Sequence, residues 1–222
     1  MKTQPFIRLS IILLWASLVL PLQAGDWPQF RGPGGAGVSH EKNLPQQWNE
    51  TKNLKWKIAL PGPGSSSPIV SDGRLFVTCY SGYGEGATGT VDDLKRHLLC
   101  VDPDNGNILW SNTVESTAKE DPWRGYIREH GYASSTPICD GTYVYVFFGK
   151  TGALAFDMKG QEIWRKNLGT GSANRRWGSA ASPVLYKNTL LINASEESRT
   201  IYALEKTTGA QVWKVESDKT EL

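Results

Sequence analysis

The sequence predicts an all-β protein, a β-propeller of four-stranded antiparallel blades of which about three are present. A hairpin recurs in which glycine closes a tight turn and tryptophan follows four residues later. A Ser-Pro or Thr-Pro dipeptide opens the first strand of each repeat. The repeated tryptophans lie 54, 54 and 49 residues apart along the chain. A period of about 40–50 residues with four strands per repeat is typical of propeller blades.

The hairpin is the most regular of these features. Its three copies span residues 102–110, 157–164 and 205–213. Glycine adopts a positive φ without steric cost, so it suits the tight turn at the centre of each copy. Because glycine and tryptophan keep the same phase in every copy, we expect them to dock one blade on the next. These residues are Gly106, Trp110, Gly160, Trp164, Gly209 and Trp213.

Alignment of the repeats places the partial propeller at residues 54–222. The blades are expected at about residues 65–114, 134–168 and 180–216. Residues 54–60 contain Trp56 but no glycine four residues earlier, and we interpret them as an orphan outer strand that completes the last blade of a closed ring. Residues 25–53 form a Gly/Pro-rich lead-in with little periodicity, whose Gly-rich stretch is interpreted as a flexible loop.

The first 24 residues are typical of a signal peptide. Lys2 and Arg8 precede an apolar run that is short and broken by Pro21, and Ala24 is suited to cleavage before Gly25. The alternative is an uncleaved anchor. The sequence therefore predicts a secreted or periplasmic protein with no membrane anchor after cleavage. Removal of Lys2 and Arg8 from the 24 basic residues leaves 22, against 22 acidic residues. This balance does not indicate a nucleic-acid-binding surface.

Three cysteines leave at least one thiol unpaired in an exported protein. We interpret Cys79, Cys100 and Cys139 as small core residues, with a Cys79–Cys100 disulfide as the alternative. The expected register of the second and third strands of blade 1 pairs Cys79 with Leu99 and Cys100 with Thr78. That register would point the two thiols to opposite faces of the sheet, where a disulfide is geometrically poor.

The repeat pattern Ala/Cys-x-Asp-x-x-x-Gly-x-x-x-Trp, with Ser-Pro opening the first strand, resembles the quinoprotein (PQQ-type) β-propeller repeat. The resemblance covers about residues 54–216, and residues 26–33 resemble the start of secreted bacterial members. The family includes dehydrogenases that hold pyrroloquinoline quinone and non-catalytic propellers such as the lipoprotein of outer-membrane barrel assembly. Its rings have seven or eight blades, which implies that this chain is part of a longer protein or closes with a partner.

Chain length varies on one rim of the predicted propeller. In an antiparallel blade, the connection between the second and third strands and the connection to the next blade emerge on the same side. The long connections at about 81–97, 111–133 and 167–179 all fall there, and such loops often carry function. Aromatic residues and arginines, which are enriched in binding hot spots, are concentrated in them. They are Tyr83, Trp123, Arg124, Tyr126, Arg128, Glu129, His130, Tyr132, Arg175, Arg176 and Trp177.

These residues indicate a non-catalytic binding or scaffold module whose partner is a protein, a peptide or a glycan. The alternative interpretation is that these side chains are solvated, or that the aromatic ones only pack the loops against the blades. The sequence predicts no catalytic residues, no metal site and no cofactor. The resemblance also allows a PQQ-dependent oxidoreductase, with calcium, whose active half is absent, although the adjacent cysteine pair of that branch is missing. A second alternative is an outer-membrane protein assembly factor, against which the missing lipobox weighs.

Overall fold

A computed structural model describes residues 25–217, so the predicted signal peptide at 1–24 lies outside the described residues. Within that range, twelve strands form three four-stranded antiparallel sheets, each a meander in chain order. Blade 1 contains β1 (Ile69–Ser71), β2 (Arg74–Ser81), β3 (Lys95–Val101) and β4 (Ile108–Glu115). Blade 2 contains β5 (Ile138–Cys139), β6 (Tyr143–Phe147), β7 (Ala153–Asp157) and β8 (Glu162–Lys166). Blade 3 contains β9 (Val184–Tyr186), β10 (Thr189–Ala194), β11 (Thr200–Glu205) and β12 (Gln211–Glu216). The predicted all-β fold of propeller blades is confirmed.

Helices occur in the connections. Two short α-helices are α1 (Ile127–His130), between blades 1 and 2, and α2 (Ser195–Ser198), between β10 and β11. Turns of 3-10 helix lie at Pro33–Gly35, Val91–Asp93 and Gly149–Thr151. No helix among the described residues has the length and apolar character needed to cross a bilayer.

Two apolar cores join the three sheets. The core between blades 1 and 2 includes Phe76 and Leu98 from blade 1 and Val144 from blade 2. The core between blades 2 and 3 includes Tyr145 of blade 2 and Leu190 of blade 3. Blade 2 therefore packs one face on blade 1 and its other face on blade 3, as stacked repeats do.

The tryptophans mark the outer edge of these contacts. Trp110 lies against Gly160 of the next blade, and Trp164 lies in the same way against Gly209. The indole Nε1 of Trp164 donates a hydrogen bond of 2.9 Å to the Lys206 carbonyl. The glycine leaves room for the ring, and the carbonyl of the same turn accepts from its nitrogen.

The hydroxyl before each proline marks the inner edge. The backbone N–H of Ser67 donates to Thr136 Oγ1 at 3.0 Å. The N–H of Thr136 donates to Ser182 Oγ at 3.0 Å. Thr136 and Ser182, each directly before a proline, thus supply an acceptor to a backbone N–H of the preceding blade.

The start of the lead-in pairs with two of the blades. Trp27 and Val70 of β1 exchange backbone hydrogen bonds of 2.8 and 3.0 Å. The Pro28 carbonyl accepts a hydrogen bond of 2.9 Å from the N–H of Cys139 in β5. The segment therefore joins the innermost strands of two blades, and the exposed backbone of those strands gains partners.

Residues 54–60 were expected to form an orphan strand and do not, since no strand among the described residues pairs with them. A strand requires a neighbour for its ladder of hydrogen bonds. Trp56 nevertheless lies against Gly106 and donates a 2.8 Å hydrogen bond to the Pro103 carbonyl. The segment therefore covers blade 1 as the outer strand of a preceding blade would.

The guessed register of blade 1 is wrong by two residues. Cys79 pairs with His97, and Cys100 pairs with Phe76. A shift of two residues keeps each side chain on its own face, because side chains alternate with a period of two. Cys79 accordingly packs in a different cluster from Cys100. All three cysteines are buried and free, as small core residues.

Candidate functional site

The long connections meet on one side of the blades. The Tyr83 hydroxyl, in the connection between β2 and β3, accepts a 3.0 Å hydrogen bond from the N–H of Trp123 in the next connection. The N–H of Gly171 donates to the Glu197 carbonyl in α2 at 2.9 Å. The strands extend further into the first connection than expected, which shortens that loop to residues 82–94.

Three of the predicted rim aromatics form the support of this surface. Tyr132 is 9% exposed. Its ring lies 5.8 Å from the ring of Trp123 and 5.9 Å from that of Tyr83. The Tyr132 hydroxyl donates a 2.7 Å hydrogen bond to the Asp121 carbonyl. Burial raises the pKa of Tyr132, so it stays a neutral donor. These aromatics hold the connections in place rather than forming the open surface.

Two other rim aromatics form an open corner. The rings of Tyr126 and Trp177 lie 4.9 Å apart at an angle of 63°. Tyr126 is 57% exposed and Trp177 is 39% exposed. A cleft of about 500 Å³ lies beside them, with a floor of small residues at Gly178, Ala180 and Ala181. This cleft has the size and the aromatic lining of a binding site.

His130 fixes the corner by joining its two connections. His130 lies in α1, four residues after Tyr126. Its Nε2 lies 2.6 Å from the carbonyl oxygen of Trp177, to which it donates. Its Nδ1 lies 2.6 Å from Ser134 Oγ. Both ring nitrogens are therefore engaged, and the Trp177 backbone is held against the helix that follows Tyr126.

The predicted arginines differ in their contacts. The Arg175 guanidinium lies 4.9 Å from the centre of the Trp177 ring. Arg176 Nε lies 4.0 Å from Asp121 Oδ1. Arg124, Arg128 and Glu129 are exposed. The rim therefore presents guanidinium groups to solvent next to an aromatic cleft.

A buried ionic network beneath the rim was missed by the sequence reasoning. Arg96 of β3 is 2% exposed and lies 2.8 Å from Glu120 Oε1. It also donates to Thr151 Oγ1 in blade 2 at 3.1 Å. Lys150 lies 3.0 Å from Asp121 Oδ2. The network ties blade 1, the connection after it and the Gly149–Thr151 turn of blade 2. No local spacing reveals such long-range pairs.

Glu197 extends this network into blade 3. It is 5% exposed, and its Oε2 has no hydrogen-bond partner among the described residues. Ser179 donates to its other oxygen, Oε1. A small cavity of about 30 Å³ lies beside it, lined also by Glu120 and Lys150. Burial raises the pKa of Glu197, because the charged form loses its hydration.

The described residues do not fit the quinone and calcium of the dehydrogenase branch. No two of the three cysteines are adjacent in the sequence, all three are free, and burial raises the pKa of Cys79 and of Cys100 to about 11. Residues 25–217 also bring together no group of three or more His, Cys, Asp and Glu side chains arranged to hold a metal ion. We therefore derive no chemistry through that cofactor.

Comparison with known proteins agrees with this architecture. A family model described as outer membrane protein assembly factor BamB matches residues 38–197, well over half of the chain. No curated protein matches the chain. The structure of the quinohemoprotein alcohol dehydrogenase of Comamonas testosteroni is similar, with 17% identity and a TM-score of 0.54. The match covers 87% of this chain and 28% of that one, and it supports the fold.

A second solved structure is BamB from Moraxella catarrhalis, with 16% identity and a TM-score of 0.38. That match covers 71% of this chain and 49% of the BamB chain. The chain thus spans less than half the length of both solved proteins. The resemblance to PQQ-like propellers drawn from the repeats is confirmed by the family model. The chain belongs to the BamB-type family of PQQ-like repeat β-propellers.

Proposed function

We propose that this chain is a secreted or periplasmic, non-catalytic module that binds a protein partner through the rim cleft beside Tyr126 and Trp177. The observation that carries the proposal is an exposed aromatic corner that is held rigidly. Aromatic side chains left in solvent beside a cleft of small residues are typical of interaction sites. His130 orders the corner before a partner arrives, which lowers the entropic cost of binding.

The matched family supports a protein as the partner class. Its model describes an assembly factor for outer membrane proteins, and such a factor acts on other proteins. In this chain, the residues available for such a contact are on connections, while the blades beneath them are tied by apolar cores and by the Arg96–Glu120 pair. A rigid scaffold with functional loops is the common arrangement for recognition.

Affinity purification tests the proposal. The wild-type chain, a Tyr126→Ala/Trp177→Ala variant and a Tyr186→Ala control would be used to recover proteins from the envelope of the source organism. Tyr186 is 61% exposed and lies at the end of β9, on the side with tight turns. We expect quantitative mass spectrometry to find proteins retained by the wild type and the control but lost from the double variant.

The substituted side chains are exposed, so the free energy of unfolding of the double variant should differ from that of the wild type by no more than about 1 kcal/mol. An unchanged set of recovered proteins from a folded double variant would contradict the assignment of this cleft.

A further inference from the structure

The arginines of the rim indicate the chemistry of the partner. Among the described residues, Arg124, Arg128 and Arg175 form no ion pair with a carboxylate. Arg176, in contrast, pairs with Asp121. All three are exposed. Arg124 and Arg128 lie two residues before and two residues after Tyr126 in the sequence, and the exposed Glu129 is the acidic residue next to Arg128. Exposed guanidiniums beside a cleft are matched by carboxylates, which they bind in bidentate geometry.

Arg175 contacts Trp177, which lines the cleft. Its guanidinium lies 4.9 Å from the centre of the Trp177 ring. Stacking on an aromatic face orients the planar group and leaves its N–H donors, which lie at the edge of the plane, free for an acceptor. A carboxylate that bonds to Arg175 therefore lies next to the opening between Trp177 and Tyr126.

The shape of the corner suits one apolar side chain. The rings of Tyr126 and Trp177 meet at 63° and form two walls, not a continuous platform. The floor between them is made of Gly178, Ala180 and Ala181. An aliphatic or aromatic side chain fills such a space, and its burial supplies free energy in proportion to the apolar area covered.

Glu196 sets where the partner's charges lie. It lines the cleft and accepts a 3.3 Å hydrogen bond from the N–H of Ala173. A carboxylate of the partner placed beside Glu196 meets a like group, which is unfavourable. The acidic residues of the partner are therefore expected at the outer edge, near the arginines, and its apolar side chain at the floor.

We propose that the cleft binds an acidic peptide segment of a protein, with one apolar side chain between Tyr126 and Trp177 and flanking carboxylates on Arg124, Arg128 and Arg175. This inference rests on the proposed function, because it names the kind of partner that the same cleft takes. Binding of this kind weakens as salt screens the charges.

Selection from a random heptapeptide phage library tests the inference. We expect the wild-type chain to enrich peptides in which an apolar residue is flanked by Asp or Glu. An Arg124→Glu/Arg128→Glu/Arg175→Glu variant should bind these peptides at least about tenfold more weakly, and tenfold corresponds to about 1.4 kcal/mol. The matched control is Arg165→Glu, since Arg165 pairs with Glu162 on blade 2 outside the cleft.

The outcomes separate this inference from the proposed function. Enrichment of neutral or basic peptides that still require Trp177 would leave the cleft as the binding site and overturn the acidic partner. Equal binding of acidic peptides by the triple variant would also overturn it. Binding of polygalacturonate without enrichment of any peptide would show that the ligand is a glycan. If the Tyr126→Ala/Trp177→Ala variant recovers the same proteins as the wild type in the affinity purification, the proposed function is contradicted instead.

Discussion

The ring of Trp110 lies so close to Gly160 of the next blade that a Cβ atom at Gly160 would be 2.8 Å from Trp110 Cδ2. The Trp110 Nε1 also donates a 3.1 Å hydrogen bond to the Met158 carbonyl in the same turn. Trp164 and Gly209 repeat the relationship at 2.7 Å from the ring. The glycine of the repeat therefore serves two purposes, a left-handed turn and close packing of the neighbouring blade's indole.

We predict that Gly160→Ala destabilises the chain more than Gly141→Ala. Both glycines have positive φ, +88° and +83°, but no heavy atom lies within 4 Å of a Cβ at Gly141. The two variants share the backbone strain, and Gly160→Ala adds a clash that costs about 1–3 kcal/mol. Urea unfolding measures both. Equal losses would show that the Trp110 contact contributes nothing.

We predict that Arg96→Ala lowers the free energy of unfolding by about 3–5 kcal/mol, because it leaves Glu120 as a buried unpaired charge. The control is Arg165→Ala, which removes a 2.7 Å pair with the partly exposed Glu162. An exposed pair of this kind contributes about 1 kcal/mol or less. A variant with both Arg96→Met and Glu120→Leu should recover much of the loss. A small effect of Arg96→Ala would contradict the proposed importance of the network.

We predict that Glu197→Gln becomes progressively more stable than the wild type as pH rises above the ordinary glutamate pKa of 4.5. Burial raises the pKa of Glu197 in the folded chain, so folding retains a proton that the unfolded chain releases. Stability is therefore lost as pH rises from 4.5 through the folded pKa. The neutral glutamine does not carry this loss. Urea unfolding at a series of pH values measures the difference.

Glu205 gives a control of opposite sign. Hydrogen bonds from Thr207 and Thr208 lower the pKa of Glu205, so its contribution is present above 4.5 and is lost on acidification. Glu205→Gln should therefore lose stability relative to the wild type as pH rises. A difference that is independent of pH for Glu197→Gln would show that its carboxyl ionises as it does in the unfolded chain.

We predict that His130→Ala loosens the rim cleft while the blades stay folded. The variant loses the 2.6 Å hydrogen bond to the Trp177 carbonyl, so Trp177 is no longer fixed against Tyr126. In a chain labelled with 5-fluorotryptophan, the ¹⁹F resonance of Trp177 should shift and narrow towards that of an exposed residue. His40→Ala, in the exposed lead-in, should leave it unchanged. An unaltered Trp177 resonance in His130→Ala would exclude the positioning role.

Repetition made the fold predictable from the sequence. Each copy of the hairpin has glycine and tryptophan at the same positions. Once one copy is interpreted as two strands and a turn, the same interpretation places strands in all three blades. Repetition does not report how far a strand extends, which is why the register of Cys79 was wrong by two residues. The face of the sheet to which each side chain points was still predicted correctly, because side chains alternate with a period of two residues. Residues 54–60 carry the tryptophan of the repeat but lack a strand partner among the described residues.

The candidate site was harder to predict from the sequence than the fold. Composition selects aromatic residues and arginines on the right connections, but it does not separate those that support the surface from those that form it. Tyr132 and Trp177 are both aromatic residues shortly before a strand, and one is buried while the other is exposed. Two of the partners of Arg96, Glu120 and Thr151, lie 24 and 55 positions away, and the stacking of blades sets these contacts.

Photocrosslinking in the living cell with p-benzoylphenylalanine at position 126 tests most directly whether the cleft binds a protein. The same residue at position 186, an exposed tyrosine on the opposite side, is the matched control. We predict a protein adduct from position 126 that disappears in Trp177→Ala, and none from position 186. Adducts from both positions, or from position 186 alone, would contradict the claim that the cleft beside Tyr126 and Trp177 is the binding site.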